Sequence, residues 1–399
     1  MANGMRVVMV KVPGLRSVTV RLLTRMGSRY EEVDEHGVAH LLEHMAFKGT
    51  RRIPDPVKLI EEFDSRGVEY NAETGLETVA YYLTTTRENV DWAVEMLREI
   101  FLESVYDEKE VKKEKEVVVE EICMYRDNPM VHVGNEAIKR IWGGNKIGCW
   151  DVIGEVGDVR GLSREKIGRF WQKMADPTKT VLVIAGGIRD EKLGEMTAGW
   201  EKWQNHTGSE QSDLKYNWFG YQTINKKTDQ THVFWAMKGI GILDKWWYEY
   251  RMREMMMAGT TSSRLYRELR QSLGWGYYVH LAGENLADGG VWAIQTGVVR
   301  ENEKKVIEVI GREVRKSIDE GVREEELEAV RKNWRGRMSL AMDDSEMWAK
   351  VVSSGLLERG ELTNLQLEME KYEKVKLRKI NEIIREEFDR DSISTLTIS

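Results

Sequence analysis

The chain has 399 residues, long for a single hydrophobic core and comfortable for two domains. Its 60 basic and 67 acidic residues leave a formal charge of −7, and no basic arm is present, which argues against a nucleic-acid partner. No uninterrupted apolar run approaches the roughly 18 residues of a membrane span, and no lipidation signal is evident, so a soluble cytoplasmic protein without a membrane partner is expected. The two cysteines, Cys123 and Cys149, lack Cys-x-x-Cys spacing and read as free thiols, not as a disulfide framework or a thiolate metal site. A charged fraction of 32% with few prolines suggests helices with solvated faces and hints at a thermophilic source. The 14 tryptophans are scattered and read as packing residues.

The first residues, Met1 to Lys11, alternate like a strand, and Arg6 and Lys11 interrupt any apolar core that a leader peptide would need. Mature sequence is therefore expected from the start. His36, His40 and His44 follow at successive i, i+4 positions, a spacing that chance seldom arranges among seven histidines. In His40-Leu41-Leu42-Glu43-His44 the two imidazoles share one helix face, where a single metal ion can take both. Glu43 lies beside that face, better placed to orient and deprotonate an attacking water than to ligate. The pattern is the inverse of the commoner zinc-protease motif and proposes metal-assisted peptide hydrolysis.

Further along, Asp55-Pro56 reads as an N-cap and first helical residue, with Leu59, Ile60 and Phe63 as the buried stripe and Gly67 as the stop. A strand-like run follows from Thr78 to Leu83. Glu88-Asn89 opens a helix through Val94, Leu97 and Ile100, and a second, charged helix carries Glu114 and Glu121 seven residues apart on one face. A catalytic zinc site needs a third protein ligand, and a carboxylate supplies one; either glutamate could bind while the other supports a ligand from outside. Taken alone, so charged a helix reads as a solvated face.

His40-x-x-Glu43-His44, followed 77 residues later by Glu121, resembles the pitrilysin, insulinase and mitochondrial processing peptidase family. Gly27-Ser-Arg-Tyr-Glu31, Gly37-Val-Ala-His40 and His44-Met-Ala-Phe-Lys-Gly-Thr50 resemble it too. The resemblance implies that His40, His44 and Glu121 bind one zinc ion per chain, that Glu43 is the general base, and that Glu114 is a carboxylate supporting the ligands from behind. Glu120, adjacent to Glu121, is the residue most easily confused with it. By the same resemblance Asn71 and Ala72, in Asn71-Ala72-Glu73-Thr74, lie on an edge strand beside the metal. There an extended peptide can add through main-chain hydrogen bonds with little demand on its side chains.

The two halves repeat one plan. Glu301-Asn302 opens a helix through Val306, Ile307 and Val309 and leads to another charged helix after Gly321, as Glu88-Asn89 does. A helix near 163–174 precedes the strand Thr180–Ala185, and a helix near 371–388 precedes Ile393–Ile398. The expected fold is α+β: two homologous domains, each a mainly antiparallel sheet with helices packed on one face. Residues 1–204 would form the metal-binding domain, the polar stretch 205–215 a linker, and 216–399 the second domain. In the second half Val330 stands where Glu114 would fall and Arg337 where Glu121 would fall, and no second H-x-x-E-H exists. Only the first half can hold the metal.

Ser262 to Arg270, followed by Gly274-Trp-Gly-Tyr277, resembles the arginine and tyrosine pair of the family's second domain, although Trp275-Gly276 departs from the usual pattern. Arg270 and Tyr277 would hydrogen-bond the substrate carbonyl and the oxyanion formed on attack. Arg267 and Tyr278 are the neighbouring alternatives. The chain length resembles that of short members in which two chains assemble a closed four-domain chamber. That implies a homodimer, with Arg270 and Tyr277 reaching the site of the other copy, and unstructured peptides as substrates for a zinc endopeptidase. A noncatalytic scaffold or regulatory subunit, or a peptidase dedicated to one leader or targeting peptide, is the alternative.

Overall fold

The computed structural model describes residues 1–143, 151–189, 193–204, 214–387 and 391–399, so Cys149 and most of the expected linker lie outside the described residues. Two five-stranded sheets are built from the two halves. In the first, β1 (Arg6–Lys11), β2 (Ser17–Thr24), β3 (Glu69–Thr74), β4 (Val79–Thr86) and β5 (Thr180–Gly186) take the order β1-β5-β2-β4-β3. The second contains β6 (Gly220–Ile224), β7 (Thr231–Gly239), β8 (Tyr278–Asn285), β9 (Gly290–Val298) and β10 (Ile393–Ile398), in the order β6-β10-β7-β9-β8. Each strand has its counterpart five strands later. In each sheet one outer pair is parallel, β1 with β5 and β6 with β10, and every other pairing is antiparallel. The duplicated, mainly antiparallel α+β plan expected from the sequence is the observed one, but helices pack on both faces of the first sheet and not on one.

The central strand β2 is buried at every residue after Ser17, so both faces of the first sheet must be covered. One face receives helices of its own half: Tyr81 of β4 packs against Phe101 of α3 (Val90–Leu102), ring centroids 5.8 Å apart. The opposite face comes from far along the chain. Leu23, Ala80, Val181, Val183 and Ala185 form a cluster with Ala349, Val352 and Leu357 of the helix Ser345–Glu358. That helix is capped by Asp344, whose carboxylate accepts from the Glu346 amide at 2.8 Å. The second sheet is treated alike, because α5 (Pro129–Trp142) packs along β7 and β10 with Val133, Ala137, Ile141 and Trp142 buried.

The compact units are accordingly discontinuous: Met1–Ile122, Lys146–Asp213 and Ser339–Leu365 form the first, and Cys123–Asn145, Leu214–Met338 and Gln366–Ser399 the second. A reading by contiguous halves does not contain this reciprocal helix exchange, because an amphipathic pattern shows which face a helix buries and not which sheet receives it. The expected helix at 371–388 is also two helices, Leu365–Glu373 and Leu377–Glu387. At the break Val375 is buried, and its carbonyl accepts from the Arg331 guanidinium.

Near the first sheet's free edge, α2 (Pro56–Ser65) follows the expected design. The Asp55 carboxylate accepts from the Val57 amide at 2.9 Å, Leu59 and Phe63 are fully buried, and Gly67 turns the chain with φ +60°. Ile60 is only half-buried. No helix among the described residues is long and apolar enough to cross a membrane.

If the distant helix is integral to the first sheet's core, Leu357→Ala should lower the unfolding free energy by about 2–5 kcal/mol. Denaturant unfolding checks this, and a change below about 0.5 kcal/mol, as for a surface site, would show that the helix is not packed there.

Candidate metal centre

The motif lies on α1 (Val38–Met45), a helix whose start is fixed by side chains outside it. Gly37 precedes α1 in the left-handed region at φ +81°, and a Cβ there would stand 2.8 Å from the Ile153 carbonyl oxygen, so glycine is required. Gly37 has no side chain to cap the helix. Its place is taken by Glu31, whose fully buried carboxylate accepts from the Gly37 amide at 3.0 Å and the Ala39 amide at 2.8 Å. These are the amides a helix start leaves without partners, and its dipole favours an anion there. Burial pushes the Glu31 carboxyl up to about 8, against the pull of the two amides.

Val38, Ala39, Leu41, Leu42 and Met45 turn inward, leaving His40, Glu43 and His44 on the remaining side. The two imidazole rings stand one turn apart with centroids 4.6 Å from each other. Facing them is α4 (Glu108–Asp127), from which Glu121 Oε2 lies 3.9 Å from His40 Nε2 and 3.5 Å from His44 Nε2. Ligand atoms from all three residues fall within 4.8 Å of one another, and no second such cluster occurs among the described residues. Two imidazoles and one carboxylate that converge in this way are the donor set of a catalytic zinc site. Glu120 is exposed on the other side of α4. His36 turns to Asp158, Nδ1 to Oδ2 3.3 Å, and takes no part.

Glu114, two turns before Glu121, lies behind His44: its Oε2 is 3.2 Å from His44 Nδ1, and its Oε1 is 2.7 Å from Lys48 Nζ. Burial works against the Glu114 carboxylate, but hydrogen bonds from His44 and Lys48 outweigh it and hold the group below the usual range. For His44 burial also opposes the charged form, yet its contacts with Glu114 and Glu121 prevail and hold the ring's proton up to about 9. His40, held down to about 4 by burial and then by the charge on His44, is neutral and ready to ligate. A Glu114 acceptor on Nδ1 leaves Nε2 of His44 directed at Glu121, which is how a supporting carboxylate fixes a ligating imidazole.

Glu43 accepts a hydrogen bond from Thr74 Oγ1, and burial raises its carboxyl above the ordinary value. Thr74 ends β3, the edge strand carrying Asn71 and Ala72, and both of these line a pocket of about 350 Å³ with Glu43, His44, Phe47, Lys48, Ile60, Tyr70 and Glu114. The Ala72 amide donates at 2.9 Å to Asn71's own side chain rather than to a neighbouring strand. The sequence reading assigned no role to Thr74, Glu31 or Lys48. Their signals were slight: Lys48 stands four residues after His44, and Glu31 and Thr74 close the two flanking motifs.

Arg270 and Tyr277 belong to the second unit, where they are brought together: Arg270 Nη1 donates to the Gly276 carbonyl at 3.1 Å, and Tyr277 follows directly. Both side chains are exposed, Tyr277 by 54%. The alternative tyrosine is engaged elsewhere, since Tyr278 hydroxyl lies 2.9 Å from His232 Nδ1. Trp275 and Gly276 both donate from their amides to the Leu269 carbonyl, folding the departure from the usual pattern into the turn that joins the pair.

Comparison with known proteins places this geometry in a family. Residues 6–148 match the family described as Insulinase (Peptidase family M16), and residues 161–333 match the one described as Peptidase M16 inactive domain. The chain belongs to peptidase family M16. It is 27% identical over 396 residues to the uncharacterized zinc protease YmxG of Bacillus subtilis, covering 98% of this chain and 95% of the relative. An uncharacterized zinc protease of Rickettsia bellii is 28% identical over 344 residues, covering 86% and 82%. In fold it resembles the crystal structure of a protease from Helicobacter pylori, with TM-score 0.89 and 20% identity over 100% of this chain and 98% of the other. A peptidase M16 inactive domain structure from Pseudomonas fluorescens gives TM-score 0.91 at 15% identity, over 100% and 96%.

Zinc has to displace the His44 proton, so in a calorimetric titration at pH 7 about one proton should be released per zinc, with affinity rising with pH until about 9. Glu121→Gln should lose most zinc binding and Glu120→Gln none; an affinity independent of pH, or the reverse order of the two variants, would contradict the assignment.

Proposed function

We propose that the chain is a zinc-dependent endopeptidase of unstructured peptides, holding one zinc ion through His40, His44 and Glu121. The observation that carries this reading is the convergence of those three donors, one of which, His44, lines a pocket together with Glu43 and the β3 residues Asn71 and Ala72. When bound, zinc supplies Lewis-acid polarisation of the peptide carbonyl and acidifies water. Glu43 takes the proton of the attacking water and later delivers it to the leaving amine. Glu114 holds His44 in its ligating orientation. An extended peptide pairs with the free edge of β3 at Asn71 and Ala72, and the walls of Phe47, Ile60 and Tyr70 offer an apolar socket for one of its side chains.

Arg270 and Tyr277 would donate hydrogen bonds to the carbonyl and to the developing oxyanion. We assign them to the site of a second copy in a homodimer, a closed chamber that admits flexible segments and excludes folded proteins. The bond from Arg270 to the carbonyl of Gly276, the residue before Tyr277, and the exposure of both side chains support this reading. The one described cysteine, Cys123, is free and exposed, in keeping with a reducing cytoplasm.

Glu43→Gln should keep zinc and lose peptide cleavage, whereas His44→Ala should lose both. Normal turnover by Glu43→Gln would overturn the mechanism. Equal amounts of Glu43→Gln and Arg270→Ala, mixed and allowed to exchange subunits, should regain about a quarter of wild-type activity if a symmetric dimer shares its sites. A mixture as inactive as its components would show that the sites are not shared.

A further inference from the structure

The general base is held by the strand that receives the substrate. Thr74 Oγ1 donates to Glu43 Oε2, and not to the other carboxylate oxygen. From Ala72 to Thr74 is two residues along β3, about 6.6–6.8 Å, and both lie on the same face of the strand. One rigid segment thus carries both a main-chain docking position and the group that aims the base.

The two partners of this hydrogen bond are bracketed by one loop. The Ser28 and Arg29 amides donate to the Gly75 and Leu76 carbonyls just past Thr74, at 3.2 and 2.7 Å, and the Gly27 amide donates to the Glu77 carbonyl at 3.3 Å. Arg29 and Glu77 form a buried ion pair at 2.6 Å. A Cβ on Gly27 would stand 2.4 Å from two of these carbonyl oxygens, so the backbones cross in contact. Four residues after Gly27, Glu31 caps α1, which carries Glu43. The loop 27–31 therefore fixes the end of β3 and the start of α1 relative to each other.

We infer that Thr74 is a positioning residue for Glu43, setting the carboxylate's orientation relative to a peptide lying along β3. This rests on the endopeptidase reading, because it assigns Thr74 a part in that reaction. Thr74 touches neither zinc nor the scissile bond; it acts through Glu43. Its loss leaves substrate docking and metal binding in place and misdirects the base.

The test compares Thr74→Val, which keeps the shape, with Thr74→Ser, which keeps the hydroxyl, as zinc-loaded full-length protein on an unstructured fluorogenic peptide. Thr74→Val should lower kcat by about 10- to 100-fold, the range for an outer supporting group, with KM, zinc affinity and melting temperature unchanged. Thr74→Ser should restore most of the rate. A crystal structure of Thr74→Val should show the Glu43 carboxylate in a different rotamer. Wild-type kcat in Thr74→Val, an unrescued Thr74→Ser, or a loss confined to KM or zinc affinity would overturn the inference. Absence of cleavage by zinc-loaded wild type would instead count against the endopeptidase reading, and the Glu43 rotamer in Thr74→Val would still decide whether Thr74 orients it.

Discussion

An eight-residue helix presents His40, Glu43 and His44, and each must be aimed by something outside the helix. The contact of α1 with α4 does this for the histidines: Glu121 stands opposite both Nε2 atoms, and Glu114 takes Nδ1 of His44. A short isolated helix has little stability of its own in water, so its direction has to come from its surroundings. Glu31 supplies the missing cap from a buried position, and the inward side chains of α1 supply the packing. The placement of the three donors depends on this anchoring, since a shift of α1 would part its histidines from Glu121.

The sheet beneath borders the same site. β3 is an edge because the order β1-β5-β2-β4-β3 ends on it. The helix Ser345–Glu358 covers the opposite face of this sheet at β2, β4 and β5. Lys350 of that helix and Arg21 of β2 both pair with Glu73, at 3.2 and 3.0 Å, between Ala72 and Thr74. A helix from the end of the sequence thus supports a strand near its beginning. The second unit repeats the sheet order without the metal residues, consistent with the inactive-domain description of its family match.

Much of the site was legible because its chemistry is local. Two histidines four apart must share a helix face, and Asp55-Pro56 can hardly be anything but a helix start. Glu121 and Glu114 were harder: spacing alone shows that they share a face, and only the approach of α4 to α1 shows which oxygen meets which ring. The duplication could be followed in the order of strand and helix signals, whereas the exchange of α5 and the helix Ser345–Glu358 could not. Their apolar faces suit either sheet, and the choice is made by tertiary packing. Thr74 and Glu31 were illegible for a related reason, since a single threonine or glutamate acquires its role only through a long-range hydrogen bond.

The most direct measurement is hydrolysis of a mixed set of unstructured peptides by the purified protein as isolated, after chelation, and after zinc is restored. The account predicts internal cleavage that chelation abolishes and zinc recovers. Cleavage indifferent to chelation, or none by the zinc-loaded protein, would contradict it.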